Sequence, residues 1–409
     1  MFRRARILIV ALLCIFADAL LAQDFKLFGR DIQVHGFACQ GFVYTNDNNW
    51  LTTNSSAGSA SFTDFGANIS VPITDKFRAG AQIYDRNLGQ LGQWHPELDW
   101  AYASYKFKPW LTIRGGKVKT TLGLYNDTQD LDFLHTFALL PQSIYPIDLR
   151  DSTLAHTGGD IYGDIRLLNH LGTLSYTGYA GHRSDGMYSG YPYLATHYGI
   201  FVRSMGGLQY GADLRWQTPL KGLLAGISRL NQDIDATGSM MNPRNPANGL
   251  VPLRIVAKQE WTNQFYGEYA VGKLRVDSEY RRYFRDYLVP SLPSGNVSDV
   301  RGWYVSGAYR IVKKLEVGSY YSRYTITSLF YGLMALPNQT DTSLPANHIY
   351  DKVVTARVDL NRFWNVKVEG HFMDGYGVST YPDGFYPQVN SQGFKPNTNA
   401  LVVKTSFNF

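Results

Sequence analysis

Asp151-Ser152 with His156, and the run His182-Arg183-Ser184-Asp185, bring together hydroxyl, imidazole and carboxylate groups that could serve as nucleophile, base and orienting acid. Such chemistry needs the hydroxyl on a strained elbow and a base held by a third group. Neither stretch has that frame, and Ser, His and Asp in loops are ordinary solvated residues. The nine histidines show no His-Glu-x-x-His spacing, so the sequence offers no metal site, no cofactor and no catalytic centre. The chain reads as a non-enzyme. The weaker alternative is a hydrolase built on those loop residues.

The charged residues that do recur with regular spacing sit in alternating segments. Leu208-Gln-Tyr210-Gly-Ala212-Asp-Leu214-Arg-Trp216-Gln sets an apolar row against Gln209, Asp213 and Arg215. The segment starting at Ile161 places Asp160, Asp164 and Arg166 opposite apolar groups, and 352–360 does so with Arg357 and Asp359. Segment 366–372 sets Lys367, Glu369 and His371 against Val366, Val368 and Phe372. A period of two means strands with one dry and one wet face.

The pattern gives sixteen strands, near 33–44, 61–71, 77–86, 97–107, 110–118, 157–166, 172–182, 207–217, 222–231, 258–270, 273–284, 301–311, 315–325, 351–361, 365–375 and 398–409. Every second link is tiny, such as Lys108-Pro109 and Gly272, and the links between are long, up to 119–156. Short turns on one side and long loops on the other are the arrangement of bacterial outer-membrane barrels. An even strand count lets the last strand pair with the first, leaving no open edge. The expected fold is all-β: a transmembrane antiparallel barrel spanning 23–409.

The start of the chain fits export. Arg3, Arg4 and Arg6 precede the aliphatic run Ile7 to Ile15, and the segment ends in small residues at Ala19 and Ala22. That is the order of a cleavable signal peptide, here 1–22. Its removal takes three Arg and Asp18, leaving 36 basic and 32 acidic residues, a net +4. That excess is too mild for nucleic acid, and no basic run supports such a partner. Cys14 also goes, so Cys39 is left alone and no internal disulfide can form. Mean hydropathy of -0.22 excludes a bundle of spanning helices.

Aromatic residues gather where a membrane interface would want them. Phe77, Phe107, Trp110, Phe363 and Trp364 flank short turns, and Trp303, Tyr309, Tyr320, Tyr321 and Tyr324 lie within or near strand ends. The last strand alternates Leu401, Val403, Phe407 and Phe409 with Lys404, Ser406 and Asn408. It resembles the terminal strand of bacterial outer-membrane proteins. That likeness implies that Phe409 is a signal read by the barrel-assembly machinery.

From Glu97 to Gly163 the chain resembles the trimeric bacterial porins, in particular the phosphate-selective and related sixteen-stranded group. The likeness rests on 98–107, 111–118, Thr121-Leu-Gly-Leu-Tyr-Asn-Asp127 and Leu140-Pro-Gln-Ser-Ile-Tyr145, with His35-Gly-Phe-Ala-Cys-Gln-Gly-Phe42 like the first strand. Thr121 stands where the group would have proline. No basic staircase can be traced, so phosphate selectivity does not carry over. The resemblance implies a homotrimer, and a third loop that folds inward to constrict the pore.

A sixteen-stranded barrel is too wide for its side chains to fill and leaves an aqueous channel. The expected function is passive diffusion of small polar or charged solutes and ions across the outer membrane. Lipid, the assembly machinery and the solutes are the expected partners. The constriction loop would carry Asp127, Asp130, Asp132, Asp148 and Asp151. Alternation points Arg78, Arg114, Arg166, Arg215, Arg275, Arg281, Arg310, Arg357 and Lys404 into the lumen. Most of these should pair with lumen acids such as Asp164, Asp213, Glu279 and Glu369, since a lone buried charge is costly. The remainder would form a basic wall facing an acidic loop, a field that biases ion choice. The competing reading is a non-conducting barrel that acts as an adhesin or structural protein through its polar loops.

Overall fold

The computed structural model describes residues 25–27, 30–242, 245–332, 337–377 and 384–409. The expected leader, 1–22, lies outside the described residues. Alternation and short turns build a continuous antiparallel sheet from sixteen strands. The first eight are β1 (Arg30–Thr45), β2 (Ser59–Pro72), β3 (Phe77–Leu88), β4 (Glu97–Lys108), β5 (Leu111–Lys119), β6 (Ala155–Arg166), β7 (Thr173–Ser184) and β8 (Ile200–Gln217). Next comes β9, Leu223–Gln232, which resumes as Asp235–Met241 between the same two neighbours. The rest are β10 (Leu250–Val271), β11 (Leu274–Val289), β12 (Ser294–Val312), β13 (Leu315–Tyr331), β14 (His348–Asp359), β15 (Trp364–Asp374) and β16 (Asn397–Asn408). A three-residue strand, Phe25–Leu27, pairs back on the start of β1.

The sheet closes on itself. β16 pairs with β1 from Ala400↔Thr45 to Asn408↔Phe37. Closure matters because an unpaired backbone edge cannot be tolerated in lipid. All sixteen expected strands are present. Several run further on the long-loop side than their alternation shows; β10 reaches 22 residues. There both neighbours persist and the ladder continues past the segment that needs an apolar face.

Burial is inside out. Phe42, Phe65, Ile83, Tyr210, Leu214, Phe265, Val305, Val354 and Leu401 are exposed on one face, while Asp64, Gln209, Asp213, Glu279, Lys367, Glu369 and His371 are buried on the other. A water-solvated barrel would do the reverse, whereas a lipid-embedded one needs apolar groups outside and polar groups inside. Phe107, Trp110, Tyr309 and Trp364 are exposed near short turns, as a girdle requires. Tyr320 and Tyr324 correct that expectation. Both are buried on the inner face, and Tyr320 meets Phe137 edge-on at 5.0 Å.

The largest apolar cluster lies among the long loops. Trp50, Leu139, Leu149, Leu194, Phe385 and Tyr386 meet Tyr324 and Val402 there. Leu194 comes from α1 (Gly190–His197), and the Tyr193 ring lies tilted against Tyr386, centroids 4.9 Å apart. The loops after β1, β5, β7 and β15 thus hold one another.

Candidate functional site

The segment between β5 and β6, 120–154, is where the sequence-derived acids gather. It leaves β5 through Gly123, whose φ of +67° and contact with Gln264 and Glu279 leave no room for a Cβ. Its backbone is then bonded to inner-face residues of β9 and β11: Gly123 N–H donates to Ser228 (2.9 Å) and Leu124 N–H to Glu279 (3.1 Å). Tyr145 donates its hydroxyl to the same Glu279 (2.6 Å).

Further along, the segment meets β13 to β16. Asp132 pairs with Lys367 (2.9 Å) and Lys404 (3.0 Å) and accepts a hydrogen bond from Ser406. The Ala138 and Leu139 amides donate to Glu369 (2.9 and 3.1 Å). Arg357 donates to the His135 carbonyl (3.0 Å), and Thr136 to Glu316. The return limb reaches β3 and β4. Arg150 bridges Asp130 (2.5 Å) and Asp99 (2.6 Å) over the Tyr84 ring, and Arg86 holds Asp151 (3.2 Å) and the Ile147 carbonyl (2.6 Å).

Four of the five expected loop acids are therefore tied down rather than presented to solvent. Burial opposes ionisation of Asp130 and Asp132, but Arg150 with Lys119, and Lys367 with Lys404, hold the two carboxyls well below the usual range. Asp148 accepts from the Gly384 amide (2.9 Å) and the Tyr386 hydroxyl (2.7 Å); burial nevertheless raises its carboxyl to about 6. Burial also pushes His135 down to about 4, so it is neutral at pH 7. Asp127 alone among the five has a carboxylate with no hydrogen bond or ion pair among the described residues, and it lines a cavity.

That cavity, about 650 Å³, lies between the segment and β1 to β5. Tyr102, Arg114, Lys119, Asp127, Phe133 and Arg362 line it. Arg114 spends one edge of its guanidinium on Asp160 (3.1 and 2.5 Å) and lies over Tyr102 and Tyr162. Lys119 donates to Asp130 (3.1 Å) and to the Asp127 carbonyl (2.9 Å).

All nine expected basic residues fall on the inner face by register, but they divide in use. Arg215, Arg275, Arg281, Arg357 and Lys404 bind the segment; Arg281, for instance, donates to the Ile144 carbonyl at 2.6 Å. Arg310 is taken up by Glu316 and Asp359 within the wall. Arg78 and Arg166 have no acidic partner among the described residues. Phe409 exchanges backbone hydrogen bonds with Gly36 at 3.0 and 3.1 Å, completing the closure.

Arg86, Arg150 and Lys367 were missed as site residues. Lys367 was signalled by its alternation with Glu369 and His371. Arg86 follows an irregularity between Gln82 and Ile83 that disturbs simple counting. Arg150 lies in a loop, where periodicity says nothing.

Comparison with known proteins puts this geometry in context. No family model matches the chain, and no curated sequence matches it. Solved structures do. The anion-selective porin from Comamonas acidovorans superposes with a TM-score of 0.55, covering 93% of this chain and 100% of that one, at 10% identity. This is a sixteen-stranded porin fold. The outer membrane channel DcaP of Acinetobacter baumannii aligns over 95% of this chain and 100% of its own, with a TM-score of 0.53 and 11% identity. A trimer form of OmpT, an outer membrane protein of Vibrio cholerae, reaches 0.52 over 93% and 99% at 10% identity. At these identities the likeness to porins is one of fold.

Proposed function

We propose that the chain is an outer-membrane porin, exported with loss of residues 1–22, that lets small polar or charged solutes and ions diffuse through a water-filled channel. The observation that carries this reading is the closed barrel with a charged inner face and a cavity left between segment 120–154 and β1 to β5. The segment's many bonds to inner-face residues support its role as the constriction. Charges that are paired across the wall cancel most of their field, so ion preference rests on the groups left over, chiefly Arg78, Arg166, Arg362 and Asp127. The fold-level neighbours named as porin and channel support the reading, and the trimer form of one supports a homotrimer. Outer-membrane lipid and the assembly machinery, reading Phe409, complete the set of partners.

Proteoliposome swelling tests it. Vesicles holding folded protein should swell in isotonic solutions of small sugars and amino acids, with rates that fall as solute size rises. Absence of swelling from folded, heat-modifiable protein would sink the diffusion reading and favour an adhesive or structural barrel.

A further inference from the structure

The outer face of β9 to β13 carries charge where lipid should be. In strand register, Arg229 lies beside Asn263, Asn263 beside Arg282, Arg282 beside Arg301, and Arg301 beside Thr325. One step toward the short turns the row is Ile227, Phe265, Tyr280, Trp303 and then Arg323. These rows share the face of exposed Ile227, Phe265, Val305 and Leu329, so the arginines point away from the lumen. Of these four arginines, Arg282 and Arg301 share one carboxylate, Asp299, and Arg229 and Arg323 have none among the described residues.

The local bonding leaves charge unspent. Asp299 takes both Arg282 (2.9 Å) and Arg301 (3.0 Å). Arg229 is held only by neutral amides, Asn231 and Asn263. Arg229 and Arg282 both lie against the Trp261 ring, at 4.7 and 5.5 Å, and Trp261 stacks on Phe284. Arg323 lies over the Tyr350 ring at 4.3 Å. An aromatic floor thus presents guanidiniums outward, spread over four inter-strand intervals, about 19 Å.

Height along the barrel gives the row a meaning. Arg282 is eight residues past Leu274, about 20 Å above the short-turn end for a tilted strand. That is near the upper edge of an apolar band roughly 25 Å tall. Arginine is costly at the mid-plane and nearly free at the interface. Guanidinium forks match phosphate oxygens in a bidentate fashion, and the long loops mark this end as the outer one.

We infer that the row Arg229, Arg282, Arg301 and Arg323 docks the phosphate groups of an outer-leaflet lipid. The inference rests on the outer-membrane orientation and not on the channel conducting. Purified barrel would be tested by native mass spectrometry with diphosphoryl lipid A, monophosphoryl lipid A and phosphatidylcholine. Wild type should retain diphosphoryl lipid A most and phosphatidylcholine least. The triple variant Arg229→Gln, Arg282→Gln, Arg301→Gln should hold diphosphoryl lipid A at least tenfold more weakly, with heat modifiability and conductance unchanged. Arg301→Gln alone, the most exposed position, should lose severalfold and covers a folding failure of the triple variant. Asp299→Asn should strengthen retention at low salt. Unchanged lipid retention in the folded variants would overturn the inference. So would a changed subunit count with unchanged retention, since the face would then be a contact between copies. Conductance measured on the same samples separates failure of this site from failure of the porin reading.

Discussion

The Asp132 carboxylate lies 2.9 Å from the Lys367 ammonium, both groups buried, with Lys404 on the opposite side of the carboxylate's pair of oxygens at 3.0 Å. Lys367 also donates to the carbonyls of Asp132 (2.7 Å) and Phe137 (3.0 Å). A loop acid is thereby clamped between two strand cations. Removing one partner of a buried ion pair costs about 3–5 kcal/mol, because a charge is left uncompensated. Asp132→Asn should therefore lower the heat-modification midpoint and release the segment from β15 and β16. Limited proteolysis within 125–140 and single-channel noise would report the release. Unchanged values in both would show that the clamp does not hold the segment.

Acid and neutral pH should act on different loop carboxylates in opposite senses. Asp148 is raised by burial to about 6, above its unfolded value. Between about pH 4 and 6 the folded state keeps a proton that the unfolded state has lost, so stability falls as pH rises through that window. Asp148→Asn should flatten this slope and stabilise the barrel at pH 7.5 by on the order of 2–3 kcal/mol. Asp130 and Asp132 are held below the ordinary range; their contribution is present above the unfolded pKa of about 3.9 and is lost as pH falls below it. Heat-modification midpoints across pH 3–8 for wild type, Asp148→Asn and Asp132→Asn would check both signs.

What could be read from the sequence was what is local. Period-two alternation is set within a strand, so the strands around Leu208–Trp216 and Val366–Phe372 were legible with their wet and dry faces. The inner-face position of Arg215 and Lys404 followed from the same counting. What those groups touch did not follow, because their partners lie far away in the chain: Asp132 reaches Lys367 across 235 residues. The acidic loop was expected to face a basic wall across the pore. Asp132 and Asp151 are instead in direct contact with strand cations, and Asp130 is held between Lys119 at the end of β5 and Arg150 of its own segment. Tyr320 and Tyr324 were taken for interface aromatics, but their inner-face register places them against segment 120–154 and the other long loops.

Ion preference should answer to the unpaired cations. Replacing Arg78, Arg166 and Arg362 with Gln should shift the zero-current potential in a salt gradient toward cation preference. The same change at Arg310, which Glu316 and Asp359 neutralise, should shift it far less. Equal effects would contradict the division between paired and unpaired wall charges.

The terminal residue tests closure. Phe409 exchanges two backbone hydrogen bonds with Gly36, and its ring fills the space a Cβ at Gly36 would need. Deleting Phe409, or Gly36→Val, should lower the yield of heat-modifiable barrel in the outer membrane. Wild-type yield from both variants would show that neither the seam contact nor the terminal aromatic matters for assembly.

The central claim is an open, water-filled channel, and single-channel recording of folded protein in a planar lipid bilayer tests it most directly. The account predicts large, stable conductance steps, grouped in threes for a homotrimer, and larger or noisier steps when Asp132→Asn loosens the segment. Silent bilayers from folded, heat-modifiable protein would contradict it.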